Sequence, residues 1–208
     1  TSSWYVESDA TSGLWVLDVP NPTFENGYSA QTGEDTTIDG ELCWVTGNAA
    51  GENNPGQDDV DGGTTILFSD VYNLSTFTDV LLTYNRWYTN NLGNSPGTDI
   101  WTVQVTSDGI TWNDLENTNL SNNSWVEKRF VLSEFIDLSS TVQFRFSASD
   151  LSYPGDSGSG GSLVEAAIDD FLLEAVSFDS ILGDINLDGQ LDVLDVVNLI
   201  NLVLDVEG

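Results

Sequence analysis

Alternation of apolar and polar residues is the feature of this sequence that most limits its fold. In residues 141–148, Val142, Phe144, Phe146 and Ala148 fall on one face, and polar side chains fall on the other. Only an extended strand, whose successive side chains point to opposite faces, produces this period of two. Comparable runs, bounded by Gly, Asn, Asp or Pro, occupy residues 64–68, 80–88, 100–105, 125–132 and 163–176. Many strands without a helical period between them predict an all-β fold, an antiparallel β-sandwich.

The hydrophobic period changes from two to a helical one after about residue 177, which predicts two units, 1–177 and 178–208. In residues 191–204, ten of fourteen side chains are apolar, and they surround the predicted helix almost completely. Because such a helix is normally buried, we expect Val193, Val197, Ile200 and Leu204 to contact a protein surface. That surface is either a groove of the same chain's sandwich or a neighbouring copy, and head-to-tail docking of copies would build a ring or filament.

The segment before this helix has the spacing of a calcium-binding loop. Oxygen-bearing side chains fall at loop positions 1, 3, 5, 9 and 12, and Gly189 at position 6 permits a sharp turn. A calcium ion prefers six to eight oxygen ligands, one of them a main-chain carbonyl at position 7. The predicted ligands are Asp184, Asn186, Asp188, Gln190 through its carbonyl, Asp192 and Asp195.

Acids within the sandwich are further candidates for calcium. Asp59 and Asp61 crowd a glycine-rich loop, where their mutual repulsion favours a bound cation. Asp169 interrupts an apolar strand, where an unpaired inward carboxylate is costly. The alternative is that these acids are solvated, or that backbone amides, Arg86 or Arg145 satisfy the inward one.

The charge balance excludes several functions. The chain of 208 residues has 34 acidic and 4 basic side chains, a formal net charge of −30, and no His. Without imidazole there is no Ser-His-Asp triad, Cys-His dyad or His-ligated zinc. The negative charge repels nucleic acid and attracts divalent cations. Since no carboxylate pair stands out as a glycosidase acid and base, we expect no enzymatic activity. The sequence contains no run of 18 apolar residues, so we expect no membrane-spanning helix.

Aromatic, cysteine and asparagine residues supply the remaining predictions. The aromatics Trp87, Tyr88, Trp101, Trp112 and Trp125 form either part of the core or a platform for sugar stacking. Cys43, the single cysteine, sits in an apolar strand pattern and is predicted to be an inert core thiol. Sequons at Asn73, Asn119 and Asn122 permit glycans. The abundance of Asn, Asp, Ser, Thr and Gly together with the low lysine content predicts a secreted, extracellular or cell-surface protein.

Two families resemble parts of the chain. Residues 183–208 resemble a type I dockerin repeat, a calcium loop followed by a helix, although dockerins normally carry two repeats and this chain carries one. About 170 residues resemble a secreted bacterial jelly-roll domain of the MAM-like and carbohydrate-binding type. The segments that carry this second resemblance are 9–15, 43–47, 59–65, 86–88 and 164–171. It implies a jelly roll with structural calcium and no catalytic role.

The sequence thus predicts a non-catalytic, calcium-binding extracellular assembly module whose C-terminal helix docks on a protein surface, such as that of a neighbouring copy in a polymer or filament. The alternative is a carbohydrate-binding module of a secreted bacterial enzyme. Calcium is the expected cofactor in both.

Overall fold

The computed structural model describes residues 3–37, 39–48, 55–152, 161–176 and 192–205, with backbone alone for 201–205. Extended segments dominate these ranges, as the alternation predicts. The strands are β1 (Tyr5–Ser8), β2 (Trp15–Asp18), β3 (Thr23–Glu25), β4 (Tyr28–Gln31), β5 (Cys43–Thr46), β6 (Gly63–Phe68), β7 (Asp79–Gly93), β8 (Trp101–Thr106), β9 (Asn113–Thr118), β10 (Asn122–Val131), β11 (Gln143–Asp150) and β12 (Ser162–Val176). A short 3-10 turn, Leu132–Glu134, follows β10, and the helix α1 spans Val193–Asp205.

The strands form two five-stranded sheets and a hairpin. The first sheet has the order β1-β6-β11-β8-β9, and the second has the order β10-β7-β12-β5-β2. Neighbouring strands in both sheets are antiparallel. The hairpin β3-β4 is a separate two-stranded sheet. This arrangement confirms the predicted antiparallel jelly-roll sandwich.

The main core lies between the two sheets. Val142, Phe144, Phe146 and Ala148 are each completely buried, which confirms the inward face predicted from their alternation. Phe146 lies in register between Leu67 of β6 and Val103 of β8. Its ring centroid is 5.3 Å from that of Tyr84 and 6.4 Å from that of Trp101. Aromatic rings of this size bury large apolar areas, so they supply much of the sandwich's stability.

A smaller cluster covers the outer face of the second sheet. Cys43, Val45, Trp87 and Ala167 are buried there, with Trp125 packed against them. The segment that contains β3 and β4 lies over this face, since Trp87 Nε1 donates to the carbonyl oxygen of Ala30 at 2.9 Å. The outer surface of the sheet around Trp87 is therefore closed to a ligand.

Helix α1 begins with a reciprocal cap. Asp192 Oδ1 accepts the Leu194 N–H at 2.7 Å, and Asp195 Oδ2 accepts the Asp192 N–H at 2.9 Å. Each carboxylate thereby satisfies an amide that the helix cannot pair internally. Val193 and Ile200 remain 69% and 52% exposed. The sandwich of the same chain therefore does not cover these side chains.

Candidate functional site

A groove opens where the two sheets face each other along their edges, between β9 and β10. Its volume is about 590 Å³. The groove is lined by residues 115–118, residues 120–122, and the side chains of Arg86, Lys128 and Phe130. It combines apolar surface with amide and hydroxyl groups, and Leu120 at its rim is 72% exposed.

Glu116 anchors the floor of this groove, because four donors converge on its carboxylate. Tyr84 Oη and Trp101 Nε1 donate to Oε1 at 2.5 and 3.2 Å. Arg86 Nη1 lies 2.6 Å from Oε2, and Lys128 Nζ lies 2.9 Å from the same oxygen. Burial and then the Glu116 charge raise the pKa of Tyr84 well above its ordinary value, so the phenol stays protonated and donates.

Two cations therefore share one carboxylate. Arg86 is 2% exposed, and its Nη2 donates to Asn122 Oδ1 at 2.5 Å. Its Nε is buried and has no hydrogen-bond partner. Arg86, Lys128 and Glu116 are the ionisable residues that line the groove, which gives it a net charge of +1 within a chain of −30. The groove is thus a local exception to the acidic character of the molecule.

A second group of charged residues lies where loops meet the ends of β6, β8 and β11. Asp59, Asp61, Asp99 and Asp150 are all buried. Burial, reinforced by the charge of Asp61, raises the pKa of Asp59 to about 8. Burial and the charge of Asp99 raise the pKa of Asp150 to about 7. The carboxyl groups of Asp59 and Asp150 therefore hold their protons more tightly than an exposed acid does.

Several oxygens in this acidic cluster lack partners. Asp59 Oδ1, Asp150 Oδ1 and Asn90 Oδ1 are buried and accept no hydrogen bond. Asp99, in contrast, accepts the main-chain N–H groups of Leu151 and Ser152, both at 2.9 Å. Because unpaired buried oxygens are costly, the cluster is incomplete without a proton or a cation.

The backbone around Asp59 explains how the acids come together. Ser12 Oγ donates to the carbonyl oxygen of Asp59 at 2.7 Å and to Asp61 Oδ2 at 3.2 Å. Gly13 follows with φ of +71°, and a Cβ at this position would lie 2.5 Å from Val60 Cα. Only glycine permits this close approach, which brings the β1–β2 connection against the acidic turn.

The structure places the predicted calcium ligands in different locations. Asp59 and Asp61 lie together, whereas Asp169 accepts the N–H and hydroxyl of Thr36 at 2.7 and 2.8 Å. Asp184, Asn186, Asp188 and Gln190 lie outside the described residues, while Asp192 and Asp195 cap α1. In the described part of the chain, no group of three or more Asp, Glu, Cys or His side chains is arranged to hold a metal ion. Calcium ligation therefore stays a prediction.

The structure distinguishes between a core position and a sugar-stacking platform for the five aromatic candidates. Trp87, Tyr88 and Trp101 are 7%, 0% and 0% exposed, so these rings belong to the core. Trp112 is half-buried beneath the Arg145 guanidinium, whose central carbon lies 4.3 Å from the ring centroid. Half-buried Trp125 packs edge-on against Trp87. The hypothesis that these five rings form a stacking platform is wrong, because most of their area packs within the protein.

The sequons differ in their surroundings. Asn73 and Asn119 are exposed, although Asn119 Nδ2 donates to the Gly97 carbonyl at 3.1 Å. Asn122 is half-buried and holds Arg86, so a glycan there would compete with the ionic network of the groove. Glycosylation at these positions stays a prediction.

The helix residues predicted to contact a partner are partly described. Val193, Val197 and Ile200 are 69%, 46% and 52% exposed, and the side chain of Leu204 lies outside the described residues. Cys43 is 1% exposed, which confirms its predicted core position, and burial raises the pKa of its thiol to about 12.

Sequence reasoning missed the Glu116 network. The sequence offers Arg86 and Arg145 as partners for the inward Asp169, but Arg86 pairs with Glu116, and Arg145 Nε donates to Gln104 Oε1 at 2.6 Å. The available signal was Arg86 itself, a charged residue between Asn85 and Trp87 in an apolar strand pattern. Such a residue requires a carboxylate partner, but its position in the sequence does not identify which one.

Comparison with known proteins adds evidence on the fold. No family model and no curated protein matches the chain. The K1 cleaved adhesin domain of Lys-gingipain from Porphyromonas gingivalis is similar in structure, with TM-score 0.50 and 12% identity, covering 84% of this chain and 92% of that one. At this identity the similarity shows a shared fold and nothing finer.

Carbohydrate-binding modules are also among the similar structures. A family 61 module in complex with β-1,4-galactotriose has TM-score 0.47 and 13% identity, covering 84% of this chain and 89% of that one. The family 11 module of a cellulosomal cellulase of Clostridium thermocellum has TM-score 0.43 and 8% identity, covering 83% and 88%. No helix in the described part of the chain is both long and apolar enough to cross a membrane.

Proposed function

We propose that the chain is a non-catalytic carbohydrate-binding module of a secreted or cell-surface protein, and that it binds a glycan in the groove between β9 and β10. The groove itself carries this proposal. Its 590 Å³ accommodates sugar rings, and Asn117, Thr118, Ser121 and Asn122 supply amide and hydroxyl groups beside the exposed Leu120. Sugars present hydroxyl groups around apolar C–H faces, and a mixed lining of this kind can satisfy both.

Glu116 is better suited to holding the groove together than to catalysis. A glycosidase needs two carboxyl groups flanking the scissile bond, one of which donates a proton. Glu116 accepts four donors, and the groove has no second carboxylate among its lining residues. The bound sugar would accordingly be held and not cleaved.

Calorimetric titration of the chain with plant, algal and chitin-type oligosaccharides tests the proposal. We expect one of these classes to bind and Asn117→Ala to weaken its binding by about fivefold, the effect of losing one hydrogen bond. Asn73→Ala is the matched control, since Asn73 is exposed and does not line the groove. The absence of any heat of binding with every glycan, or equal effects of the two variants on affinity, would contradict binding in this groove.

Calcium is a separate proposal that rests on the acidic cluster. Asp59 and Asp61 would contribute carboxylate oxygens, and main-chain carbonyls and water would complete the six to eight ligands that the ion prefers. The unpartnered oxygen of buried Asp59 supports this assignment. A bound ion would supply the positive charge that this cluster lacks and would tie the glycine-rich loop to the sandwich.

Docking of α1 on another protein is a second candidate function. The supporting observation is the exposed apolar surface of the helix: Leu194, Val196 and Leu199 are 53%, 54% and 47% exposed, in addition to the three residues named above. Contiguous apolar surface of this kind commonly marks an interaction site. Light scattering of the full chain, with calcium and with chelator, should show association that Val197→Asp abolishes. Monomers under every condition would count against docking between copies.

A further inference from the structure

We propose that the groove between β9 and β10 selects an acidic sugar, a glycan that contains a uronic acid whose carboxylate binds at Lys128. This inference rests on the proposed carbohydrate-binding function and specifies its ligand. The observation behind it is the juxtaposition of Arg86 and Lys128 around the single carboxylate of Glu116.

The charge of the groove favours an anion. Lys128 Nζ and Arg86 Nη1 both contact Glu116 Oε2, at 2.9 and 2.6 Å, so one positive charge is left over. A ligand that displaces water from the groove would leave this excess charge desolvated. A neutral sugar cannot offset that cost, whereas one carboxylate balances it.

The two cations differ in access to a ligand. The Lys128 side chain is 25% exposed, whereas that of Arg86 is 3% exposed. An ammonium group has three donors, and in the described structure Lys128 uses one of them for Glu116. Lys128 can therefore donate to a ligand carboxylate. Arg86 holds Asn122 and Glu116 in place behind it and acts as a positioning residue.

The rest of the chain limits which anions can bind. With a net charge of −30, the molecule repels densely charged polyanions at long range. One excess positive charge matches a singly charged group and is overcompensated by a phosphate dianion. These charges favour a single uronate in the groove, at a site where Asn117 and Ser121 can meet the neighbouring hydroxyl groups.

A pair of ligands that differ only in charge tests the inference: an oligosaccharide that carries one uronic acid residue and the methyl ester of the same oligosaccharide, each titrated calorimetrically into the full chain. We expect the acid to bind about tenfold more tightly than the ester at low salt, as the loss of a charged hydrogen bond implies. We also expect this preference to shrink at higher salt, because salt screens the attraction between the ligand carboxylate and Lys128.

Lys128→Gln should remove the preference for the acid, so that the acid and the ester bind with equal affinity. Arg129→Gln is the matched control, because Arg129 precedes Phe130 on the same strand, is 57% exposed and pairs with Glu127 outside the groove. It removes the same charge and should change neither affinity by more than about twofold. Lys128→Arg should retain the preference, which separates loss of charge from loss of folding.

The outcomes distinguish this inference from the proposed function. Equal affinity for acid and ester, or equal effects of Lys128→Gln and Arg129→Gln, would overturn the acidic-sugar inference while leaving glycan binding intact. Preferential binding of a sulfated or neutral glycan would do the same. Absence of binding to every glycan would overturn the proposed function itself.

Discussion

Raising the pH from 5 to 7 in the presence of a calcium chelator should destabilise the sandwich through Asp59. Burial and the nearby Asp61 charge raise the Asp59 pKa from 3.8 to about 8. Between these values the folded chain keeps a proton that the unfolded chain has released. The stability associated with this proton is complete below pH 4 and is lost as the pH rises toward 8.

The size of the effect follows from the number of protons involved. One proton bound only by the folded state changes the free energy of unfolding by about 1.4 kcal/mol per pH unit. Over the two units from pH 5 to 7, Asp59 alone should therefore lower the free energy of unfolding by about 3 kcal/mol. That is a large fraction of the 5–15 kcal/mol typical of natural proteins.

Urea unfolding at pH 5, 6 and 7, followed by tryptophan fluorescence, measures this loss. Asp59→Asn cannot titrate, so its free energy of unfolding should fall with pH less steeply than that of the wild type, by about 1.4 kcal/mol per unit. Asp137→Asn, at an exposed acid, is the matched control for net charge and should parallel the wild type. Parallel curves for Asp59→Asn and the wild type would refute the burial argument.

Adding calcium at pH 7 extends the same experiment. An ion that binds only the folded state at 100 times its Kd stabilises it by about 2.7 kcal/mol. The wild type should gain stability of this order, and Asp59→Asn should gain little. Equal gains in the two proteins would refute a calcium site at Asp59 while leaving the pH prediction standing.

Three further predictions concern the scaffold. Gly13→Ala should cost about 3 kcal/mol or more in urea unfolding, because the new Cβ would lie 2.5 Å from Val60, whereas Gly109→Ala has open space and should cost about 1 kcal/mol. Similar losses in both would refute the packing argument. Glu116→Gln should cost about 3–5 kcal/mol by leaving two cations without their carboxylate. The exposed Glu127→Gln should stay within about 0.5 kcal/mol, and equal costs would contradict the network. Finally, Cys43 should resist iodoacetamide at pH 8 until urea unfolds the chain, because its thiol is buried with a pKa raised to about 12. Labelling of the folded protein would contradict this.

Local patterns predicted much of the sandwich. The alternation at Val142, Phe144 and Phe146 specified both an extended backbone and the buried face, because a strand places every second side chain on the same side. The acidic loop was also recognisable, since Asp59 and Asp61 are two positions apart and must share their surroundings. These features depend on residues that are near neighbours in the chain.

The groove was not predictable in the same way. Glu116 lies 30 positions from Arg86 and 12 from Lys128, and β9 and β10 belong to different sheets. The sequence left both a core position and a sugar platform open for five aromatic residues, and the structure buries Trp87, Tyr88 and Trp101.

The sequence alone determined the strand pattern, the inward faces and the excess of negative charge, because these depend on residue type and on spacings of a few residues. The tertiary structure decided which carboxylate neutralises Arg86, which aromatic rings are hidden, and where positive charge collects in an acidic molecule. Those features depend on how distant strands pair, and strand pairing places residues together irrespective of their separation in the chain.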